Sequence, residues 1–293
     1  HIVYTRDGRG KVVLYVNGDK AGERKVDGDI GNWDGDFKLG LANELSKDRP
    51  WLGSLYQVTI YDRMIGPEQA RARFGAGRKG KIANALVHYS LTESRGDVVK
   101  DTAGHGKPLN LKIDGTDAVK WIDGGGLEIR KQALIASQSS ASKIKDAVAR
   151  TGQIAIEAWI KPANLTQAGP ARILTVSRDT GQRNFTLGQM GAGYEVRFRT
   201  TKTSTNGEPA VATAGTGGDH RARHVSASTT SNGDLAVIYC PVGAQITVKT
   251  DRLKKGLTGR WVDPRTGRRA EAESKNGRLY TTPDDNDWVL LFQ

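Results

Sequence analysis

The chain has 293 residues, 37% hydrophobic and 26% charged, and no stretch approaches the roughly 18 apolar residues of a membrane-spanning helix. Lys and Arg number 44 against 32 Asp and Glu, and the net charge of +12 points to nucleic acid, anionic glycan or an acidic cell-surface polymer without choosing among them. Glycine is frequent at 36 residues while Met, Cys and Phe number 2, 1 and 5, which suits tight turns between short strands, and the length exceeds the roughly 100–200 residues of one usual domain. Two all-β domains are therefore expected. No basic, apolar leader opens the chain.

Strand signals begin at once. Ile2-Val-Tyr-Thr-Arg6, the turn Asp7-Gly-Arg-Gly10, Lys11-Val-Val-Leu-Tyr-Val16 and the turn Asn17-Gly18 make a hairpin signature. Further strands are predicted over 37–43, 55–61, 86–91, 126–129, 154–160, 172–176, 185–188 and 194–200. In the last, Tyr194, Val196 and Phe198 alternate with Glu195, Arg197 and Arg199, as in a strand with one wet face. Short helices are predicted over 67–74, with Pro67 at its start, and 140–150, with Ser140 as a cap. Two small-residue linkers, 75–81 and 211–218, mark candidate seams, and six strands follow the second over 224–229, 235–239, 245–249, 258–262, 278–281 and 288–292, a density fitting a small sandwich. Cys240 ends the apolar run from Leu235 and reads as a buried, inert thiol with no intrachain partner.

The segment Trp51-Leu-Gly-Ser-Leu-Tyr-Gln-Val-Thr-Ile-Tyr-Asp-Arg63, its Pro-Glu helix start and the Tyr15-Val-Asn-Gly18 hairpin resemble the closing half of laminin-G-like, concanavalin A-type jelly rolls. The opening half of such a domain is resembled later, by Leu86–Leu91, Val99–Gly106, Ile154–Pro162 and Asn184–Gly188. The order is inverted relative to that family. The expected division is 1–77 as the C-terminal half of the jelly roll, 78–210 as its N-terminal half, and 211–293 as a second sandwich. Three origins fit this order: a circular permutant closed through 75–81, half-domains that pair between molecules, or a sequence recovered out of order. The last segment resembles the collagen-binding β-sandwich at the C-terminus of some bacterial glycoside hydrolases, through Val225–Ser228, Gly233–Tyr239, Trp261-Val-Asp-Pro-Arg-Thr-Gly267 and Pro283–Phe292. The Asp-Pro-Arg-Thr-Gly word sets a turn, with Gly supplying positive φ.

Catalytic signals are sparse. Some jelly-roll glycosidases carry two carboxylates on one strand, but Glu157 has no acid at neighbouring same-face positions and reads as structural. No nucleophile elbow, zinc helix or phosphate loop occurs, and His220 and His224 lack a third ligand. His1, as a first residue, offers an amine and an imidazole to copper, although the laminin-G-like pattern often has a His before this strand. The same resemblance implies a structural Ca²⁺ at Asp101 and Gly104, whose loop counterpart often contributes carboxylate and backbone oxygens. For ligand binding, 32–51 is the richest segment: Trp33 and Trp51 supply aromatic platforms, and Asn43, Glu44 and Arg49 planar hydrogen-bonding groups, with Arg199 and Asn206 on the same expected surface. The alternative is that both Trp close the sandwich edge. The basic loop 265–269 is open to anionic polymers or to solvent alone. Basic residues are spread among acids rather than interleaved with aromatics, which argues against nucleic acid.

The expectation is thus an all-β protein, a concanavalin A-like jelly-roll sandwich plus a second, smaller β-sandwich. The resemblances imply a noncatalytic bacterial protein, extracellular or at the cell surface, that holds a polysaccharide, matrix or cell-wall polymer. The alternatives are a structural assembly protein that self-associates by strand or half-domain exchange, and a glycoside hydrolase or lyase with an unrecognised site.

Overall fold

The Asn-Gly turn does what its residues require: Asn17 and Gly18 both take positive φ, at 52° and 84°, and reverse the chain between the strands Lys11–Val16 and Asp19–Lys25. In this computed structural model, residues 1–80, 82–213, 226–240, 245–284 and 286–293 are described. The chain divides into two units, 1–217 and 218–293.

The first unit holds two sheets of eight strands each. One runs, in spatial order, Asp19–Lys25, Lys11–Val16, Ile2–Arg6, Ile154–Pro162, Gly53–Tyr61, Leu127–Ile129 and Val119–Trp121, with Val87–Tyr89 also paired to Gly53–Tyr61. The other runs Val211–Ala212, Gly193–Phe198, Gln182–Met190, Ala171–Asp179, Lys38–Leu41, Leu134–Ser137, Leu111–Asp114 and Val98–Val99. Both sheets interleave strands from either side of the 75–81 linker. Ile154–Pro162 is inserted between two strands of the opening segment, pairing Ile2 with Ala158 on one side and Ile60 with Ile156 on the other. Lys38–Leu41 is likewise inserted between Ala171–Asp179 and Leu134–Ser137. Neither segment could pair its middle strands alone, and here each supplies the other's missing neighbours. Val211–Ala212 pairs with Gly193–Phe198 and so belongs to this unit.

Alternation along the strands explains the core. Ile2, Tyr4, Val12, Leu14, Val58, Ile60, Ile154 and Ile156 face the second sheet and are buried. The opposite face of the same strands is also apolar at Val3, Val13, Tyr15, Tyr61 and Ala155, which pack with Ile65 and with Ala70 of the helix Pro67–Ala76. A strand covered on both faces reads as a continuous apolar run, as in Ile2-Val-Tyr4. The second helix, Ser142–Thr151, buries Ile144, Ala147 and Val148. Several strands escaped prediction, for opposite reasons. Asp19–Lys25 is an exposed, charged edge strand, whereas Leu111–Asp114 and Leu134–Ser137 are short.

The second unit is a smaller sandwich. One sheet has the order Ser226–Thr229, Ala236–Cys240, Trp288–Phe292, Gly259–Val262 and Arg269–Glu271, and the other the order Gln245–Thr247, Leu279–Thr281 and Ser274–Lys275. Ile238, Trp261, Tyr280, Trp288, Leu290 and Phe292 form its core. The 263–267 turn forms as the sequence predicts, with the Gly267 amide donating to the Asp263 carbonyl at 2.8 Å and Gly267 at φ 74°.

Candidate functional site

The aromatic platform expected from 32–51 is not made by its two indoles. Trp33 is 4% exposed and Trp51 is fully buried. Trp33 packs against Phe185 and Phe198 at 5.7 and 5.1 Å and donates its indole N–H to the Arg199 carbonyl, while Trp51 donates to the Gln189 side chain. The hydrophobic payload of each indole outweighs its loop position. Asn43 and Glu44 are buried as well: the Asn43 oxygen accepts the amides of Glu44 and Arg49, and Glu44 accepts from Arg172 at 2.8 Å and from Ser177. Burial and the neighbouring Arg172 lower the Arg183 pKa to about 10 beside the same carboxylate. Arg49 is half-buried against Asp48, and Asn206 lies near Glu208. Trp33, Asn43, Glu44 and Trp51 thus form no open surface, whereas Arg49, Arg199 and Asn206 remain partly exposed.

At the expected cation loop, the Asp101 side chain is 1% exposed and both its oxygens are engaged. Oδ1 accepts the amides of His88 and Ala103, each at 3.1 Å, and Oδ2 accepts the Leu109 amide at 2.9 Å and the Lys143 ammonium at 2.7 Å. That ammonium also donates to the carbonyls of His105 and Lys107 at 3.0 and 3.1 Å. Gly104 and Gly106, at φ 70° and 59°, turn the loop between Asp101 and Lys107. Burial disfavours the Asp101 carboxylate, but the Leu109 amide, Lys143 and the other donors outweigh it and hold the group below its ordinary pKa.

A second polar cluster sits on the outer face of the first sheet, under the helix Pro67–Ala76. Glu157 Oε1 meets His1 Nε2 at 3.0 Å, and Oε2 accepts from the Tyr61 hydroxyl at 3.1 Å and from Arg73 at 2.8 Å. Burial opposes its charge, yet His1, Arg73 and Tyr61 prevail and keep its pKa below the usual carboxyl value. Burial, and then Glu157, push the Tyr61 phenol upward. With both oxygens occupied, Glu157 is an anchor between sheet and helix. The His1 ring lies 4.4 Å from the half-buried Trp159. Beside them opens a cleft of about 260 Å³, bounded by Gln57, Gln69, Arg73, Glu157 and Trp159. Sequence spacing does not reveal this group, because its members come from four separate segments.

On the second unit, the strand Ala236–Cys240 buries Ala236, Ile238 and Cys240 and turns the intervening side chains outward. Leu235, Val237 and Tyr239 are three of the six exposed large hydrophobic residues among those described, at 38%, 37% and 37%. The register sets Val237 opposite Leu291 and Leu291 opposite Arg260, and Tyr239 opposite Val289 and Val289 opposite Val262, so an apolar stripe ending at an arginine crosses the outer sheet face. The run from Leu235 to Tyr239, apolar at every position, carried this signal: a half-buried strand would alternate. The basic loop is largely self-paired, Arg265 with Asp263 and Asp287, and Arg268 with Asp284 and over the Trp288 ring. His220 and His224 lie outside the described residues.

Two antiparallel sandwiches of this kind define a modular all-β protein. Residues 1–71 match the family model described as "Concanavalin A-like lectin/glucanases superfamily", and residues 210–293 match "Putative collagen-binding domain of a collagenase". The chain thus carries a laminin-G-like segment and a collagen-binding-like domain. The strands that complete the first sandwich lie beyond the matched segment, between 87 and 212. No curated protein and no solved structure matches the chain. Among the described residues no helix is long and apolar enough to cross a membrane.

Proposed function

We propose that the protein is a noncatalytic extracellular adhesion module, of bacterial type, that holds a matrix or cell-wall polymer through its second unit. The observation that carries this reading is the Leu235, Val237 and Tyr239 stripe: solvent-facing apolar side chains along a strand whose other face is core, with the Tyr239 hydroxyl donating to Asp287. Exposed apolar rows mark interaction surfaces, and an extended polymer can lie along one where a small ligand could not be enclosed. The description of the matching family model, which names collagen, supports the same unit. The test is solid-phase binding to fibrillar collagen, chitin, cellulose and peptidoglycan, comparing the protein with Val237→Asp and Tyr239→Ser. Retention by one of these polymers should fall at least tenfold in both variants while the melting temperature holds. Equal retention by the variants refutes this face, and release of reducing ends from any polysaccharide refutes the noncatalytic assignment.

A second reading rests on the cleft of the first unit, where Trp159 stands with the planar groups of Gln57, Gln69 and Arg73. An aromatic face beside planar donors and acceptors is what a sugar ring needs, so this cleft is a glycan subsite. Quenching of Trp fluorescence by oligosaccharides, lost in Gln57→Ala, tests it independently of the polymer assay.

A further inference from the structure

The loop between the strands Val98–Val99 and Leu111–Asp114 gathers three oxygens around one point: Asp101 Oδ2 and the carbonyls of His105 and Lys107. A carboxylate and two carbonyls are ligands a hard divalent cation takes. Here that point holds the Lys143 nitrogen, 2.7 to 3.1 Å from all three. The residues present therefore do not fit Ca²⁺. A divalent ion at hydrogen-bond range of an ammonium meets strong repulsion, and the carboxylate oxygens are already engaged by three backbone amides as well.

Lys143 lies in the first turn of the helix Ser142–Thr151, where the helix dipole disfavours a cation. That turn holds no acidic residue, and the helix has no side-chain cap to offset the charge. Local helix preferences thus give no reason for a lysine at this place, whereas the oxygen cage does. Its side chain is only 18% exposed although it carries a full charge.

We propose that Lys143 is a built-in substitute for a bound cation: its ammonium ties the 101–109 loop to the helix Ser142–Thr151 and makes the fold of the first unit independent of calcium. Removing that one nitrogen leaves a carboxylate and two carbonyls facing an uncompensated point, which a divalent ion can then neutralise.

The experiment compares melting temperatures of the whole protein, Lys143→Ala, and the double variant Lys143→Ala/Asp101→Asn, in EDTA, in millimolar CaCl₂ and in NaCl of matched ionic strength. Calorimetric Ca²⁺ titrations accompany the melts. The unaltered protein should melt at the same temperature in EDTA and Ca²⁺ and show no binding heat that Asp101→Asn removes. Lys143→Ala should melt several degrees lower in EDTA and recover part of the loss in Ca²⁺ but not in NaCl. The double variant should lose that recovery. Calcium binding by the unaltered protein that Asp101→Asn abolishes overturns the proposal, as does a Lys143→Ala protein with no greater calcium response than its parent. Should Lys143→Ala fold too poorly to measure, the titration of the unaltered protein against Asp101→Asn still decides.

Discussion

Replacing Glu157 by Gln tests whether the carboxylate under the helix Pro67–Ala76 is an anchor. Its side chain is 2% exposed and that of Arg73 is 22% exposed, and the pair at 2.8 Å is reinforced by His1 and Tyr61. Removing one partner of a buried ion pair costs about 3–5 kcal/mol. Partial solvation of Arg73 and the amide oxygen retained by Gln reduce this to about 2–3 kcal/mol, a fall of about 4–12 °C in the melting temperature of a unit this size. Near-ultraviolet circular dichroism during thermal unfolding at neutral pH reads this directly. The pH dependence has a definite sign. The folded state holds the Glu157 carboxyl below its ordinary value, so its stabilisation is complete above the unfolded pKa of about 4.3 and is lost as pH falls through the folded one. The difference between the two proteins should therefore shrink on acidification. A variant within about 0.5 kcal/mol of its parent at neutral pH, or a gap that stays constant far below pH 4, would refute the anchor.

Gly10 has φ 83°, and a Cβ there would sit 2.4 Å from the Val26 carbonyl oxygen, so Gly10→Ala should cost at least about 2 kcal/mol in urea unfolding. Burial raises the Cys240 thiol to about 11, so its reaction with a disulfide reagent at pH 8 should be slow in the native state and rapid in urea; equal rates would contradict its burial. Because both sheets receive their middle strands from the same chain, multi-angle light scattering should report a mass independent of concentration. A dimer would instead point to half-domain exchange.

What could be read from the sequence was what short-range chemistry determines. The opening hairpin announced itself because Asn17 and Gly18 tolerate positive φ, and the Tyr194, Val196 and Phe198 alternation placed that strand and its wet face. The inverted order of jelly-roll words was visible, but not that Ile154–Pro162 would be inserted between Ile2–Arg6 and Gly53–Tyr61. Of the two readings open for Trp33 and Trp51, platform or sandwich edge, their burial fits the edge, because loop position says little about indoles that fold back onto Phe185 or Gln189. The Glu157 and Lys143 clusters join residues 84 and 42 positions apart, respectively, so only the folded chain brings them together. The isolation of Glu157 in its strand gave no sign of its partners His1, Tyr61 and Arg73.

The insertion of Ile154–Pro162 also fixes a timetable for synthesis. Ile2–Arg6 and Gly53–Tyr61 cannot acquire their shared neighbour until residue 162 is made, about 100 residues after the second of them. At roughly 5–20 residues per second, that interval lasts about 5–20 s. During it, apolar strands such as Ile2-Val-Tyr4 stand with open edges, prone to pairing with another nascent chain. The charged edge strand Asp19–Lys25 already covers Lys11–Val16 on one side, so the hairpin can form early and leave a single vulnerable rim at Ile2–Arg6. A holdase that shields that rim, or an export route that delays folding until the chain is whole, would serve this topology better than folding as the chain emerges.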